Sequence, residues 1–371
     1  MEQSSHQREV RLVDPAWSLS ELMARLAKAL VSDGPAIALS PVSTESVPAR
    51  ISLVVNTTGS TGKVKEVGLS ASSLLASAKA SNNYLDAKIG DRWSLFLPLN
   101  HVAGINVLVR SLELGTIPLD FRNFPTNAET KYSSADFSAI VPTQLFRALN
   151  GDSQLLEHLR GCRAVLVGGA QLSIELRNQA IENGINVVET YGSTETSGGC
   201  IYDGQPLQGV EVQISEDNLL RIKGAVVAHS YLNISEPLVD ENGWYRTSDL
   251  AHFEGEKIVI EGRNDDVFIS GGENISLAIV ESVISARFTS LEFSAFTLPD
   301  AHWGQVLCWA IVNVDSSLQS NIEREIQEAL TLAIGEIAKV KHFLYLKELP
   351  HKGIGKVDRG ELQSLMGRLI S

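Results

Sequence analysis

Asn56-Thr57-Thr58-Gly59-Ser60-Thr61-Gly62-Lys63-Val64-Lys65 stands between two β-prone runs, Ile51 to Asn56 and Val64 to Leu69, and is the densest local signal in the chain. Two glycines allow a tight turn with exposed N–H groups. The hydroxyls of Thr57, Thr58, Ser60 and Thr61 add donors, and Lys65 adds positive charge. A strand–loop–strand of this chemistry suits a polyphosphate. It is not a P-loop: Gly59 and Gly62 stand too close for G-x-x-x-x-G-K-[ST], and Val64 follows Lys63.

Outward from this loop, short apolar runs alternate with amphipathic stretches. Trp93 to Pro98, Phe137 to Val141, Arg163 to Val167 and Ile185 to Thr190 read as strands. Leu74 to Tyr84 reads as a helix with Ser70, Ser72 or Ser73 as cap. Ile105 to Leu114 follows Gly104, and Ile174 to Asn183 has Ser173 as cap and ends before Gly184. Strand and helix in alternation predict an α/β sheet. After Ser193, Val210 to Ile222 and Trp244 to Ile260 carry turn residues at Asp217-Asn218, Asn242-Gly243 and Glu254-Gly255, as hairpins do. Beyond Gly262-Arg263 a second mixed pattern predicts a helix near Ala278 to Ala286, strands near Glu292 to Thr297 and Val306 to Val314, and a helix over Ile322 to Ile337. The stretch from Ser40 to Pro48 reads as a loose loop.

The chain of 371 residues with 44% hydrophobic content is long enough for two domains with real cores. The polar start, Met1 to Asp14, and the lack of a long apolar run predict a cytoplasmic protein without integral membrane association. Cys162, Cys200 and Cys308 and the eight histidines form no zinc-type spacing. A net charge of -13 opposes binding to nucleic acid, so a phosphate site must rest on local donors and a few placed cations.

The loop resembles the T-S-G-[ST]-T-G-x-P-K-G signature of the acyl-adenylate-forming superfamily: acyl-CoA synthetases, adenylation domains and luciferases. Thr58, Val64 and Glu66 depart from its commonest residues. Further motifs of that superfamily follow in order. Gly168-Gly169-Ala170-Gln171-Leu172 resembles G-G-A-x-L, where small residues approach adenine. Tyr191-Gly192-Ser193-Thr194-Glu195 resembles Y-G-x-T-E, which implies Tyr191 on adenine, Thr194 and Glu195 near the α-phosphate, and Glu195 at Mg²⁺. Tyr245-Arg246-Thr247-Ser248-Asp249-Leu250 resembles Y-[RK]-T-G-D-L, with Asp249 as the ribose acceptor. Gly262-Arg263-Asn264-Asp265 resembles the hinge motif, placing Arg263 near the ribose and Asp265 at a pivot. Ser270-Gly271-Gly272-Glu273-Asn274-Ile275 resembles the glycine loop that lines the pantetheine tunnel. Leu277 and Ile279 replace the usual proline and glutamate after it. Pro350-His351-Lys352-Gly353-Ile354-Gly355-Lys356-Val357-Asp358-Arg359 resembles P-x-T-x-x-G-K-x-x-R, and the G-K pair assigns the catalytic lysine to Lys356, not Lys352.

The resemblance implies an α/β fold: a shortened large N-terminal domain of α/β sheet plus a β-rich subdomain, residues 1–263, with a small α+β C-terminal domain, residues 265–371, on a hinge. The phosphate loop begins at Thr57, where many relatives carry a hundred or more preceding residues, so the first subdomain is expected to be largely missing. The chemistry implied is ATP-dependent acid–thiol ligation with Mg²⁺ and coenzyme A. The partners are a small carboxylic acid, ATP and CoA, and a homodimer is left open.

On the acyl side, Leu97-Pro98-Leu99-Asn100-His101-Val102-Ala103-Gly104 resembles P-x-x-H-x-x-G, with His101 as the gate of the acyl pocket. The run from Val102 to Ser111 and Gly271-Gly272-Glu273-Asn274 are most similar to compact 2-succinylbenzoate:CoA ligases of menaquinone biosynthesis. An aromatic diacid needs a partner for its second carboxylate. Arg110 or Asn106 could supply it, and Arg110 could equally be a solvated helix residue. The alternatives are a CoA ligase or carrier-loading enzyme for another acid, and a non-catalytic nucleotide-binding paralogue. Cys200 is expected to be a small buried residue.

Overall fold

The structure, a computed structural model, describes residues 6–58, 64–122, 132–270, 273–288, 291–300, 303–351 and 357–370. The chain opens with β1 (Gln7–Leu12), α1 (Leu19–Leu30), β2 (Ala36–Ala38), β3 (Ser46–Pro48), β4 (Ile51–Thr58) and β5 (Val64–Ser70). β1, β2 and β4 are parallel neighbours, while β5 turns back antiparallel to β4 with Thr57 opposite Lys65 and Thr58 opposite Val64. The candidate phosphate loop therefore joins the arms of a hairpin. α1 starts on a reciprocal capping box: the Ser18 hydroxyl accepts from the Glu21 N–H, and the Glu21 carboxylate accepts from the Ser18 N–H at 2.8 Å.

The stretch from Ser40 to Pro48 is not the loose loop expected. Ser46–Pro48 pairs with β1, and Glu66 on β5 is buried and accepts hydrogen bonds from the backbone and hydroxyl groups of both Ser43 and Thr44. A carboxylate saturated by donors can be withdrawn from water because its lone pairs stay occupied. Burial alone would raise the Glu66 pKa; the four hydrogen bonds together hold it below the ordinary value.

The second sheet is built from β6 (Trp93–Leu95), β7 (Leu119–Asp120), β8 (Phe137–Ile140), β9 (Ala164–Gly168), β10 (Val187–Ser193), β11 (Gly198–Tyr202) and β12 (Gln205–Pro206). β7, β6, β8, β9 and β10 run parallel in that spatial order, and β11 returns antiparallel to β10. Between the strands run α2 (Ala71–Tyr84), α3 (Val102–Glu113), α4 (Pro142–Leu149), α5 (Ser153–Gly161) and α6 (Ile174–Glu182). Of the serines before α2, Ser70 is the cap, accepting from the Ser73 N–H at 3.0 Å.

The unbroken apolar run of β9 follows from burial on both faces. Ala164 and Leu166 join the core shared with α1, α2, α3 and the first sheet. Val165 and Val167 face the second core, with Leu145, Leu155 and Leu159 of α4 and α5. Trp93 and Phe137, fully buried on adjacent strands, pack their rings at 5.2 Å.

The β-rich part has β13 (Val210–Ile214) and β14 (Leu219–Gly224) as one hairpin and β16 (Tyr245–Glu254) and β17 (Lys257–Arg263) as another. Asn218, Gly243 and Gly255, one at each of the three predicted turns, take positive φ. Between the hairpins, β15 (Ser230–Tyr231) crosses to the first sheet and pairs with β5. After the 3-10 turn Asn264–Asp266, β18 (Val267–Ser270), β19 (Glu273–Ser276), β20 (Phe293–Asp300), β21 (Gly304–Val312) and β22 (Val340–Leu346) form a C-terminal sheet with α7 (Leu277–Ser285), α8 (Ser316–Ala333) and α9 (Arg359–Ile370). α8 starts earlier than its apolar pattern indicates, because the Asp315 side chain caps it on the Ser317 N–H. Among the described residues no apolar cluster has members on both sides of the 264–266 turn.

Candidate active site

Parallel strands end together, and in open α/β sheets the crevice beyond their carboxyl ends is where ligands bind. Three of the motifs lie there. His101 follows β6, Gly168-Gly169-Ala170 closes β9, and Tyr191 to Glu195 spans the end of β10 and the turn into β11. Gly168 lies beside Thr190 of β10: a Cβ there would meet the Thr190 hydroxyl at 2.2 Å and the Thr190 carbonyl at 2.8 Å. The glycine thus serves strand packing at the position the resemblance assigns to adenine.

The β10–β11 turn is fixed from within. The Thr196 hydroxyl accepts from the Ser193 N–H at 2.9 Å and lies 2.7 Å from the Gly198 carbonyl. Thr194 and Glu195 are thereby left half-buried at the tip. Gly192 lies two residues before Thr194, at the bulge where the β10–β11 register shifts.

Tyr191, Asp249 and Arg263 come together although far apart in sequence. The Tyr191 hydroxyl donates to Asp249 Oδ2 at 2.5 Å, and Arg263 Nη1 lies 3.7 Å from Asp249 Oδ1. Asp249 and Arg263 face each other across β16 and β17. Burial, and then the Asp249 carboxylate, raise the Tyr191 phenol well above its ordinary value, so it stays a donor. An aromatic ring, a carboxylate and a guanidinium in one cluster form a set that suits a nucleoside.

Lys65 is held. Its ammonium lies 3.1 Å from Glu236 Oε2 and 4.6 Å from the centre of the Tyr231 ring. The Tyr231 and Tyr245 phenols lie near enough to the Glu195 carboxylate to feel its charge. Burial and Glu195 raise both phenols, which keeps them protonated. The sequence alone assigned no part to Tyr231, Glu236 or Tyr245.

The donor set at this turn fits Mg²⁺. Glu195 and Thr194 offer hard oxygens, and no group of three or more His, Cys, Asp or Glu able to cage a metal exists among the described residues. One carboxylate completed by substrate phosphates and water is the usual Mg²⁺ arrangement.

On the acyl side, His101 occupies the N-cap position of α3 in extended conformation. A Cβ at Gly104 would lie 2.2 Å from the Pro98 carbonyl, so the first turn of α3 packs directly on the 97–98 backbone. Asn106 is buried and donates to the Ser197 carbonyl at 2.8 Å, which commits its donor to the β10–β11 turn. Arg110 is not a solvated helix residue. It is 4% exposed, donates from Nη2 to the Tyr202 hydroxyl at 3.1 Å, and lies 5.0 Å from the Trp93 ring centre. Its Nε, with Ser77 Oγ and Ser111 Oγ, is buried without a hydrogen-bond partner among the described residues. A buried cation with no carboxylate beside it is costly unless an anion arrives. Cys200 is fully buried as expected, and burial pushes its thiol up to about 12.

Gly59, Ser60, Thr61, Gly62, Gly271, Gly272 and Lys356 lie outside the described residues, as does the Thr58 side chain. The flanks of the Lys356 segment are described. His351 and Val357 pair antiparallel, and the Asp358 N–H donates to the Pro350 carbonyl at 2.7 Å. Arg359 then bridges to Asp266 at 2.7 Å and to Glu281 at 3.0 Å. This ties the base of the segment to the residues next to the proposed pivot.

A parallel sheet with nucleoside-type and acyl-side residues at its carboxyl edge, followed by a small α+β unit, is the architecture of the adenylate-forming enzymes. The AMP-binding enzyme family matches residues 2–237. The probable 2-succinylbenzoate--CoA ligase of Mycobacterium tuberculosis (strain ATCC 25618 / H37Rv) is 34% identical over 331 residues, covering 86% of this chain and 85% of that protein. The 2-succinylbenzoate--CoA ligase of Escherichia coli (strain K12) is 33% identical over 267 residues, 69% of this chain and 57% of that one. The solved structure of an E. coli MenE variant with bound OSB-AMS superposes with a TM-score of 0.72 at 26% identity, covering 96% of this chain and 82% of that one. The chain belongs to the AMP-binding enzyme family.

Proposed function

We propose that the chain is an AMP-forming 2-succinylbenzoate:CoA ligase. The observation that carries the reading is that the Tyr191–Asp249–Arg263 cluster, the Glu195 turn and the Lys65 hairpin are brought together from three sheets, residues 228–231 joining the turn to the hairpin. The name of the M. tuberculosis relative supports the acid, and so does Arg110, a buried cation on the helix that His101 caps.

The reaction has two halves. A carboxylate oxygen of the acid attacks the α-phosphorus of ATP, the bond to pyrophosphate breaks, and an acyl-adenylate forms. The CoA thiolate then attacks the acyl carbonyl, and AMP leaves with the electron pair of the broken C–O bond. In the first half two anions meet, so the site must neutralise charge on the attacking and departing oxygens. Mg²⁺ held by Glu195, with Thr194 beside it, would supply part of that neutralisation. Asp249 accepts from the ribose hydroxyls, Arg263 lies beside it, and Tyr191, Gly168, Gly169, Ala170 and Gly192 border the base. Thr57 and Lys65, with Thr58, Gly59, Ser60, Thr61 and Gly62, receive the phosphates. Lys356 acts on the α-phosphate in the first half. Residues 265–371 then swing about Asp265 so that Gly271 and Gly272 line the thiol's approach. His101 gates the acyl pocket, and Arg110 receives the second carboxylate of the acid.

ATP-dependent formation of the CoA thioester across a panel of acids tests this. Turnover with 2-succinylbenzoate well above that with benzoate or short aliphatic acids is expected. Preference for a monoacid would replace the acid, transfer only to a carrier-protein thiol would replace the acceptor, and no pyrophosphate release with any acid would leave a nucleotide-binding protein.

A further inference from the structure

The phosphate hairpin is gripped one rung below Lys65. Asn56 on β4 and Glu66 on β5 face each other there, next to the Thr57–Lys65 pair. Residues 41–44 reach both arms of that rung. Asn56 Nδ2 donates to the Pro41 carbonyl at 2.8 Å. Glu66 Oε1 accepts from the Ser43 N–H and, at 2.8 Å, from the Ser43 hydroxyl. Glu66 Oε2 accepts from the Thr44 N–H at 3.2 Å and from the Thr44 hydroxyl at 2.5 Å. Each carboxylate oxygen thus serves one residue, backbone and side chain together.

The outer edge of the same arm is held as well. β15 pairs with Gly68 and Val67, and beyond it the Leu232 N–H donates to the Glu66 carbonyl at 2.8 Å. The Asn233 side chain then stands in for a strand: its oxygen accepts from the Glu66 N–H at 2.8 Å, and its nitrogen donates to the Val64 carbonyl at 2.9 Å. Lys65 therefore sits between two residues whose backbones are fixed from outside the hairpin. Successive side chains of a strand point to opposite faces, so Lys65 projects away from the Glu66 carboxylate and lies over the Tyr231 ring. With both its oxygens taken by donors, the carboxylate does not compete with an incoming anion for the ammonium.

We infer that Glu66 is a positioning residue for the triphosphate: its carboxylate docks residues 41–44 onto the hairpin and so sets the direction of Lys65 and Thr57. The inference rests on the reading of this hairpin as the phosphate site, but not on the identity of the acid. A carboxylate this close to a phosphate loop can act in two opposite ways. As a bare charge it repels phosphate, and its removal tightens binding. As a clamp it aligns the donors of the hairpin, and its removal loosens binding. Glu66→Gln separates the two, because it removes the charge and turns an amide NH₂ toward donors that are then left without an acceptor. AMP lacks the β- and γ-phosphates, so it reports on the nucleoside cluster apart from the hairpin.

Calorimetric titration with magnesium α,β-methylene-ATP and with AMP tests the clamp on wild type, Glu66→Gln, Thr44→Ser, and a variant carrying Ser43→Ala and Thr44→Val together. Glu66→Gln is expected to lose about threefold to tenfold in affinity for the triphosphate analogue and to keep its affinity for AMP within about twofold. The double variant keeps the charge and both backbone donors, and is expected to lose in the same direction by a smaller factor. Thr44→Ser retains the hydroxyl and is expected to match wild type. Thermal midpoints show which variants fold; if Glu66→Gln does not, the double variant decides. Equal losses for the two ligands, as a merely structural residue would give, overturn the inference and leave the adenylating reading standing. So does an unchanged or tightened affinity for the analogue in the folded variants. Absence of nucleotide binding by wild type overturns both.

Discussion

The Tyr191 hydroxyl is 2.5 Å from Asp249 Oδ2, and this bond ties the end of a parallel strand to a β-hairpin 58 residues further on. The carboxylate proposed for the ribose is therefore held before any nucleotide arrives. Asp249→Ala should raise the KM for ATP by about tenfold to a hundredfold, the range for a lost charged hydrogen-bond acceptor, with the KM for the acid little changed. Tyr191→Phe should have a smaller effect in the same direction. Initial-rate kinetics with ATP and acid varied separately check both, and an equal rise in the two KM values would place Asp249 outside the nucleotide site.

Glu66 makes stability depend on pH in a defined direction. Its folded pKa is depressed, so its contribution is present above the ordinary glutamate value and is lost as pH falls through the folded value. Glu66→Gln should cost about 1–3 kcal/mol at neutral pH, since a neutral amide cannot serve all the Ser43 and Thr44 donors. That difference should shrink once the pH falls below about 4.3, the unperturbed glutamate value. Thermal midpoints of both proteins measured from pH 7 to pH 3 test the sign; a constant gap across that range would contradict it.

Arg110 couples substrate choice and stability in opposite senses. Arg110→Met removes a buried cation that has no carboxylate partner among the described residues, while Tyr202 keeps its 2.8 Å hydrogen bond to Ser81. The folded state should be unchanged or stabilised by about 1 kcal/mol. The KM for 2-succinylbenzoate should nevertheless rise by at least about tenfold, with little change for an aromatic monoacid. A comparison of the two acids, alongside a melting curve, decides it: parallel losses on both acids would make Arg110 a structural residue.

The α/β alternation and the positions of the motifs were legible because their signals are local. The Ser173 cap, the paired turns at Asn218 and Gly255, and the apolar run of β9 each declare themselves within a few residues. The N-terminal unit was not, because β1 reads Gln-Arg-Glu-Val-Arg-Leu and its register comes only from pairing with β2 and β3. Nor was the last parallel strand, Val340–Leu346, whose partner is β21. Glu66 looked like a departure from a motif until the fold brought Ser43 and Thr44 to it. Beside the Glu195 turn, Lys65 meets Glu236, 171 residues away in sequence, and Tyr231 arrives on a two-residue strand too short to carry a periodic signal. Long-range pairs of this kind have no local pattern, so only the folded chain reveals them.

Lys356 is proposed to serve the first half-reaction and not the second. The most direct measurement is pyrophosphate release by wild type and Lys356→Ala, beside CoA-dependent consumption of a supplied acyl-adenylate by the same two proteins. Loss of a well-placed transition-state donor should slow pyrophosphate release by about 10² to 10³-fold and leave adenylate consumption within a few-fold of wild type. An equal loss in both halves, or no loss in the first, would contradict it.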